Sequence, residues 1–112
     1  MGLGQMFSKK LLENGTKVVV ADINPEAGNK FMDYAKTKYG DDALTFMHCN
    51  VRDSQQLKDT FKAAKERFGR LDIVCNNAGV MTTDPFRAKM QVDINLTAVI
   101  EGTYHGIELM SR

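Results

Sequence analysis

Strand-like and helix-like hydrophobic periods take turns along this chain, and that alternation admits few folds. Lys17 to Ala21 is a short β-branched run without polar alternation, as expected of a strand covered on both faces. Ala43 to Cys49 and Leu71 to Cys75 are two further strand candidates, the last again unalternated. Helical patterns surround them. Leu3, Phe7 and Leu11 fall at i, i+4 and i+8 with Gly15 placed as a stop, so residues 3–14 read as a helix. Asn24-Pro25 supplies the N-cap and N1 proline of a second helix, running to about Tyr39 and ended by Gly40. Asp53 or Ser54 caps a third, whose apolar stripe is Leu57, Phe61, Ala64 and Phe68 and which Gly69 closes. After a polar loop containing Asp84-Pro85, a long helical pattern runs from about Arg87 to Met110. The order α-β-α-β-α-β-α predicts an α/β fold built on a doubly wound parallel sheet.

Composition sets limits on function. With 112 residues, 43% hydrophobic and 26% charged, the chain reads as one ordinary globular domain. A net charge of +1, spread among mixed Lys, Arg, Asp and Glu, gives no field for steering nucleic acid or anionic membrane, so neither is expected as a partner. Cys49 and Cys75 each close an apolar run without metal-ligand spacing and read as buried thiols of a reduced, cytoplasmic protein. His48 and His105 lie far apart with no partners at ligand spacing, so no metal site is expected. No segment has the apolar length of a signal peptide core or a membrane span. Met1-Gly2 fails as a myristoylation signal because Met6 stands where Ser or Thr is wanted. The sequons at Asn14 and Asn95 read as chance.

Two places carry chemistry. Asn76-Asn77-Ala78-Gly79 comes directly after the apolar run that ends at Cys75. Two amides, a small residue and a glycine at a strand end lie where open α/β sheets bind ligands. The second place is the N-terminus of the first helix, where Gly2-Leu3-Gly4 would turn orphan backbone N–H groups and the helix dipole toward a pyrophosphate. A glycine pair alone also fits a flexible terminus. Asp22 strengthens it, standing eighteen residues beyond Gly4 at the end of the next strand, where a carboxylate can accept hydrogen bonds from a ribose. The plainer reading of Asp22 is a strand-end turn residue.

With Ile94-Asn95-Leu96 added, the chain resembles the short-chain dehydrogenase/reductase family. The carrying stretches are Asp22 to Gly28, Gln55 to Phe61, Phe68 to Val80 and Ile94 to Ser111. The resemblance implies a Rossmann-like sheet of parallel strands sandwiched by helices, with a nicotinamide cofactor along the strand ends. Gly2, Leu3 and Gly4 would contact pyrophosphate. Asp22, beside Ile23, would bind the adenosine ribose and repel a 2′-phosphate, favouring NAD over NADP. Asn50, before Val51, would accept a bond from the adenine amino group where the family usually carries Asp. Asn76, Ala78 and Gly79 would bound the cofactor cleft, the amide pair also pinning a central strand, and Asn95 would help hold a water in the proton relay. The implied reaction is oxidation of a secondary alcohol to a ketone, the substrate being a hydroxylated fatty acid or prostanoid. The last helix implies a homodimer contact.

The same resemblance places the family's first strand before Met1, and its catalytic Ser and Tyr-x-x-x-Lys beyond Arg112. The chain is therefore expected to be a partial NAD-binding domain, lacking the first strand and the C-terminal half and inactive alone. Tyr34-Ala35-Lys36-Thr37-Lys38 satisfies Tyr-x-x-x-Lys literally but lies on the helix after the adenosine-side strand, and is read as a basic helix face. A truncated isoform that binds nucleotide weakly, or joins a full-length subunit, remains the open alternative. Another nucleotide-binding class, such as a methyltransferase, fits Asn76 to Gly79 and Ile94 to Leu96 poorly.

Overall fold

The computed structural model describes residues 2–110, which form two compact units that meet in sequence between Cys49 and Asn50. Met1 and Ser111, where the sequence reading begins its terminus and ends its last family-like stretch, lie outside the described residues.

The first unit is a helix–strand–helix–strand repeat. Helix α1 (Gly2–Glu13) ends where Gly15 takes a φ of 79°, with Thr16 N–H donating to Leu11 O and Gly15 N–H to Leu12 O, both at 3.1 Å. Strand β1 (Val18–Asp22) comes next, then α2 (Pro25–Tyr39), whose first turn is capped by the Asn24 side chain accepting from Ala27 N–H. Strand β2 (Leu44–His48) pairs with β1 in parallel, Val18 opposite Leu44 and Asp22 opposite His48. The core is Leu12, Val18, Phe31, Ala35, Ala43 and Leu44, so both helices bury a face against the pair of strands.

Two expectations shift here. The Leu3, Phe7, Leu11 stripe of α1 does not supply its buried face: Leu3 and Phe7 are exposed, while Ser8 and Leu12 are buried. The β1 run is only partly covered, Val18 being buried and Ala21 exposed.

The second unit is helical. Helix α3 (Ser54–Phe68) is capped by Asp53, whose Oδ1 accepts from the N–H groups of Gln55 and Gln56 at 3.0 Å, which settles the choice between Asp53 and Ser54. The long pattern to Met110 is realised in four pieces: a 3₁₀ turn (Pro85–Arg87), α4 (Ala88–Val92), a π turn (Asp93–Thr97) and α5 (Ala98–Met110). Helices α3 and α5 lie side by side and run the same way. Ser54 Oγ donates to Glu101 Oε1, the Phe61 and His105 rings sit 5.7 Å apart, and Lys65 Nζ donates to Leu109 O.

Leu71 to Cys75 is not a strand, contrary to expectation. Strand character needs a ladder partner for the backbone groups, and among the described residues of this unit no other strand exists. The segment instead lays Val74 on α5: a Cβ at Gly106 would stand 3.2 Å from Val74 Cγ2. Cys75 is exposed for the same reason, correcting its reading as a buried thiol, while Cys49 is buried; neither forms a disulfide.

Candidate functional site

In the first unit the expected residues gather at one end. Helix α1 opens at Gly2, which has a φ of 37° and open space where a Cβ would be. The opening turn of a helix leaves backbone N–H groups without intrahelical acceptors, so Gly2, Leu3 and Gly4 present donors there, while the Gly4 carbonyl accepts from Ser8 Oγ at 2.8 Å. Gln5 of α1 and Ala27 of α2 line one groove. The early residues of both helices therefore border the same groove, and α2 opens directly after the end of β1, where Asp22 stands.

Asp22 ends β1 with its backbone tied down by Cys49 N–H donating to Asp22 O at 3.0 Å. Its Oδ1 accepts from Asn24 N–H at 2.9 Å. The turn reading of Asp22 is thus correct for one carboxylate oxygen. Oδ2 accepts no hydrogen bond among the described residues. Ile23, the next residue, is exposed and carries no charge that would answer a phosphate.

Tyr34 and Lys38 do form a pair, Lys38 Nζ lying 3.4 Å from Tyr34 OH. The hydrogen bond to Tyr34 is the main cause holding the Lys38 ammonium pKa above its ordinary value. Their surroundings are the outer groove between α1 and α2: Lys9 Nζ stands 5.0 Å from the Tyr34 ring centroid, and Phe31 stacks on it from inside the helix. That is a basic helix face with an aromatic platform.

In the second unit the site is organised by hydrogen bonds from side-chain amides. Asn50 is turned back on its own loop, its Oδ1 accepting from Arg52 N–H and its N–H donating to Gln56 Oε1, both at 3.0 Å. Val51 is half-buried between them. Asn76 lies against Gly102 of α5, with Nδ2 3.4 Å from Thr103 Oγ1, so this amide fastens the segment to a helix rather than pinning a strand. Ala78 and Gly79 are exposed. A Cβ on Gly79 would meet nothing of this unit closer than Asn95 Oδ1 at 3.5 Å, so the chain's own packing does not require glycine there.

Asn95 is the most committed residue of the group. It sits in the π turn, where Ala98 N–H reaches back five residues to Asp93 O. Its Oδ1 accepts from Val80 N–H at 2.8 Å and its Nδ2 donates to Val80 O at 2.5 Å. Both backbone groups of the residue after Gly79 are thereby fixed to the helix. A π turn inside an α-helix is a frequent companion of functional sites.

Sequence reasoning missed Asp93. Its Oδ2 accepts from Lys89 Nζ at 2.9 Å and from Arg52 Nη2 at 3.5 Å. Those cations, Lys89 first through its hydrogen bond, hold the carboxyl below the usual range. The i, i+4 relation to Lys89 was visible in the sequence; Arg52 was not. Among the described residues no His, Cys, Asp and Glu cluster could hold a metal ion, and no helix is long and apolar enough to cross a membrane.

Comparison with known proteins identifies the family and the fold. The family model described as short chain dehydrogenase matches residues 1–112. A 15-hydroxyprostaglandin dehydrogenase (NAD(+)) of Macaca fascicularis is 42% identical over 111 residues, covering 99% of this chain and 41% of that protein. The human protein of the same name is 41% identical over the same length. Momilactone A synthase of Oryza sativa subsp. japonica is 30% identical over 118 residues, covering 98% of this chain and 42% of that protein. The chain thus spans about two fifths of the curated relatives it matches. Among solved structures, a Serratia marcescens short-chain dehydrogenase/reductase double mutant superposes with a TM-score of 0.89 at 22% identity, over 97% of this chain and 46% of that one. A short chain dehydrogenase from Mycobacterium smegmatis gives 0.88 at 21%, over 97% and 48%. These likenesses establish the α/β fold with its parallel sheet as part of a larger domain.

Proposed function

This chain belongs to the short-chain dehydrogenase family, and from that premise we propose that it carries the NAD-binding part of an enzyme oxidising a secondary alcohol to a ketone. The observation that carries this reading is Asp22: a carboxylate at the end of a parallel strand, with one oxygen spent on a turn and the other open, in the same unit as a helix N-terminus opened by two glycines. The relatives at 42% and 41% identity are named for NAD(+) and for a hydroxylated prostaglandin, and the substrate class, a hydroxylated fatty acid or prostanoid, rests on that identity.

The residues present fit such a cofactor. Gly2, Leu3 and Gly4 offer orphan N–H donors of the kind that receive a pyrophosphate. Asp22 has an acceptor to give a ribose hydroxyl, and its charge disfavours a 2′-phosphate. Gly79 keeps a surface without a side chain where the chain itself does not need one. When bound, NAD would supply the hydride acceptor. Asn76, Ala78 and Gly79 would bound the cleft, and Asn50 with Val51 would face the adenine. Asn95 holds the cleft segment by Val80 with one Oδ1 and one Nδ2 hydrogen bond, which leaves the carboxamide one further acceptor site and one further donor for a relay water.

In the sequence, Tyr34 and Lys38 alone satisfy Tyr-x-x-x-Lys, and they form a basic helix face in which Tyr34 lines the groove between α1 and α2 with Lys9 and Lys30. We therefore expect binding without turnover from these 112 residues by themselves, with alcohol oxidation a property of the longer enzyme and a homodimer formed through α5. The test is a titration of NAD and NADP into the purified chain and into Asp22→Ala. The variant should lose roughly 1.5–3 kcal/mol of NAD affinity, the scale of a hydrogen bond to a charged group. An unchanged affinity and an unchanged NAD-over-NADP preference would overturn the assignment.

A further inference from the structure

The π turn is a single turn of five-residue hydrogen bonding set inside an α-helix, a rare arrangement that is frequent at functional sites. Asp93 opens the turn: its carbonyl accepts the five-residue bond from Ala98, and its carboxylate draws two cations to a single oxygen, Oδ2. Lys89 comes from the preceding turn of the same helix. Arg52 comes from the loop before α3, a loop fixed at three points, by Arg52 N–H on Asn50 Oδ1, Asn50 N–H on Gln56 Oε1 and Gln56 Nε2 on Asp53 Oδ2. The other carboxylates of the neighbouring elements are engaged elsewhere, Glu101 by Ser54 and Asp53 by the α3 N-terminus. Asp93 is thus the carboxylate that meets Arg52.

We propose that Asp93 is a positioning residue: by gripping Arg52 and Lys89 it holds the π turn in the one arrangement that lays Asn95 on Val80, and so joins the Asn50 loop to the end of the Asn76–Val80 segment. The two ends of the proposed cofactor site in this unit then move as one piece. Ordinary surface ion pairs contribute little to global stability. This one acts where the backbone departs from α geometry, so its effect is read in the local arrangement rather than in the melting point. The significance for a cofactor rests on the dehydrogenase reading; the mechanical link does not.

The experiment is amide hydrogen exchange by NMR on the full chain without nucleotide. In Asp93→Ala, Val80 N–H should exchange roughly threefold or more faster, the scale of losing two weak ion pairs, while Ala64 N–H in α3 is unchanged. Asp93→Glu should restore most of the protection, and Arg52→Ala and Lys89→Ala should each give a smaller increase. Unaltered Val80 exchange in Asp93→Ala would overturn the proposal, as would a wild-type Val80 N–H that already exchanges at the rate of unstructured chain. Should Asp93→Ala lose protection throughout, the wild-type protein decides the matter: added salt must speed Val80 exchange relative to Ala64, and equal response of the two sites overturns the link. Since no nucleotide is present, failure here leaves the dehydrogenase reading standing. An indifferent Asp22→Ala would sink that reading and leave this one.

Discussion

Gly102 of α5 and Asn76 are packed so closely that a methyl group at 102 would overlap the Asn76 carboxamide, and the same carboxamide reaches on to Thr103 at 3.4 Å. An alanine there gains up to about 1 kcal/mol of helix propensity. Its opponent is the exposed far end of a short side chain, able to swing away for the loss of one long hydrogen bond. Gly102→Ala should therefore leave thermal stability within about 1 kcal/mol of the parent while displacing the Asn76 side-chain amide signals in an NMR spectrum. A large drop in the melting midpoint would show that Asn76 cannot yield.

Gly28 poses the same question with the opposite answer. A Cβ at this buried position of α2 would run into the ring of Phe46 on β2, and that half-buried ring has less room to yield than the exposed Asn76 carboxamide. Gly28→Ala should destabilise by about 1–3 kcal/mol, the usual penalty for overpacking. Pairing it with Phe46→Leu, which shortens the opposing side chain, should recover part of the loss. Urea titrations of both variants and of the Phe46→Leu parent check this, and strictly additive losses would contradict it.

Asp53 accepts two N–H groups of the α3 first turn and also receives Gln56 Nε2 at 3.2 Å. Asp53→Ala should cost about 1 kcal/mol, the ordinary value of a lost N-cap. Asp53→Asn, which keeps the acceptor, should lose less than half as much. Equal losses would make the negative charge near the helix N-terminus, rather than the hydrogen bond, the larger contribution.

Acid should release Asp93. Its carboxyl is held below the usual range by Lys89 first and then Arg52. Because the folded-state value is depressed, the stabilisation is fully present above the unfolded value of about 3.9 and is lost as pH falls through the lower, folded value. The difference in Val80 N–H protection between the parent and Asp93→Asn should hold constant from neutral pH down to about 5 and close only below about 4. High salt should shrink it at every pH, since the half-buried Asp93 meets Lys89 and Arg52 at solvent-exposed positions. A difference that closes near pH 6 would point to another group.

Local chemistry was what the sequence made legible. Asn24 with Pro25, Gly40 and Gly69 marked helix ends because caps act within a few residues of themselves, and all three act as expected. Leu71 to Cys75 was misread because being a strand is a property of two segments, and an apolar run cannot name its partner. Leu3 and Phe7 had the right period for a helix, but period says which residues share a face and not which face is covered. Asn95 could be singled out as polar within an apolar seam. That Val80 receives it, and that Arg52 reaches Asp93 across 41 positions, are facts of tertiary geometry with no local signature.

The π turn has a consequence for how this helix can change over generations. It amounts to one residue wound into the rod as a surplus, absorbed between Asp93 and Thr97 without rotating α5 about its axis. Loss of a single codon in that stretch would leave a plain helix in which Gly102 still meets Asn76 and Gly106 still meets Val74. The packing of Gly102 and Gly106 therefore puts no pressure on the chain to keep the surplus residue. A lineage that retains it does so for what Asn95 holds.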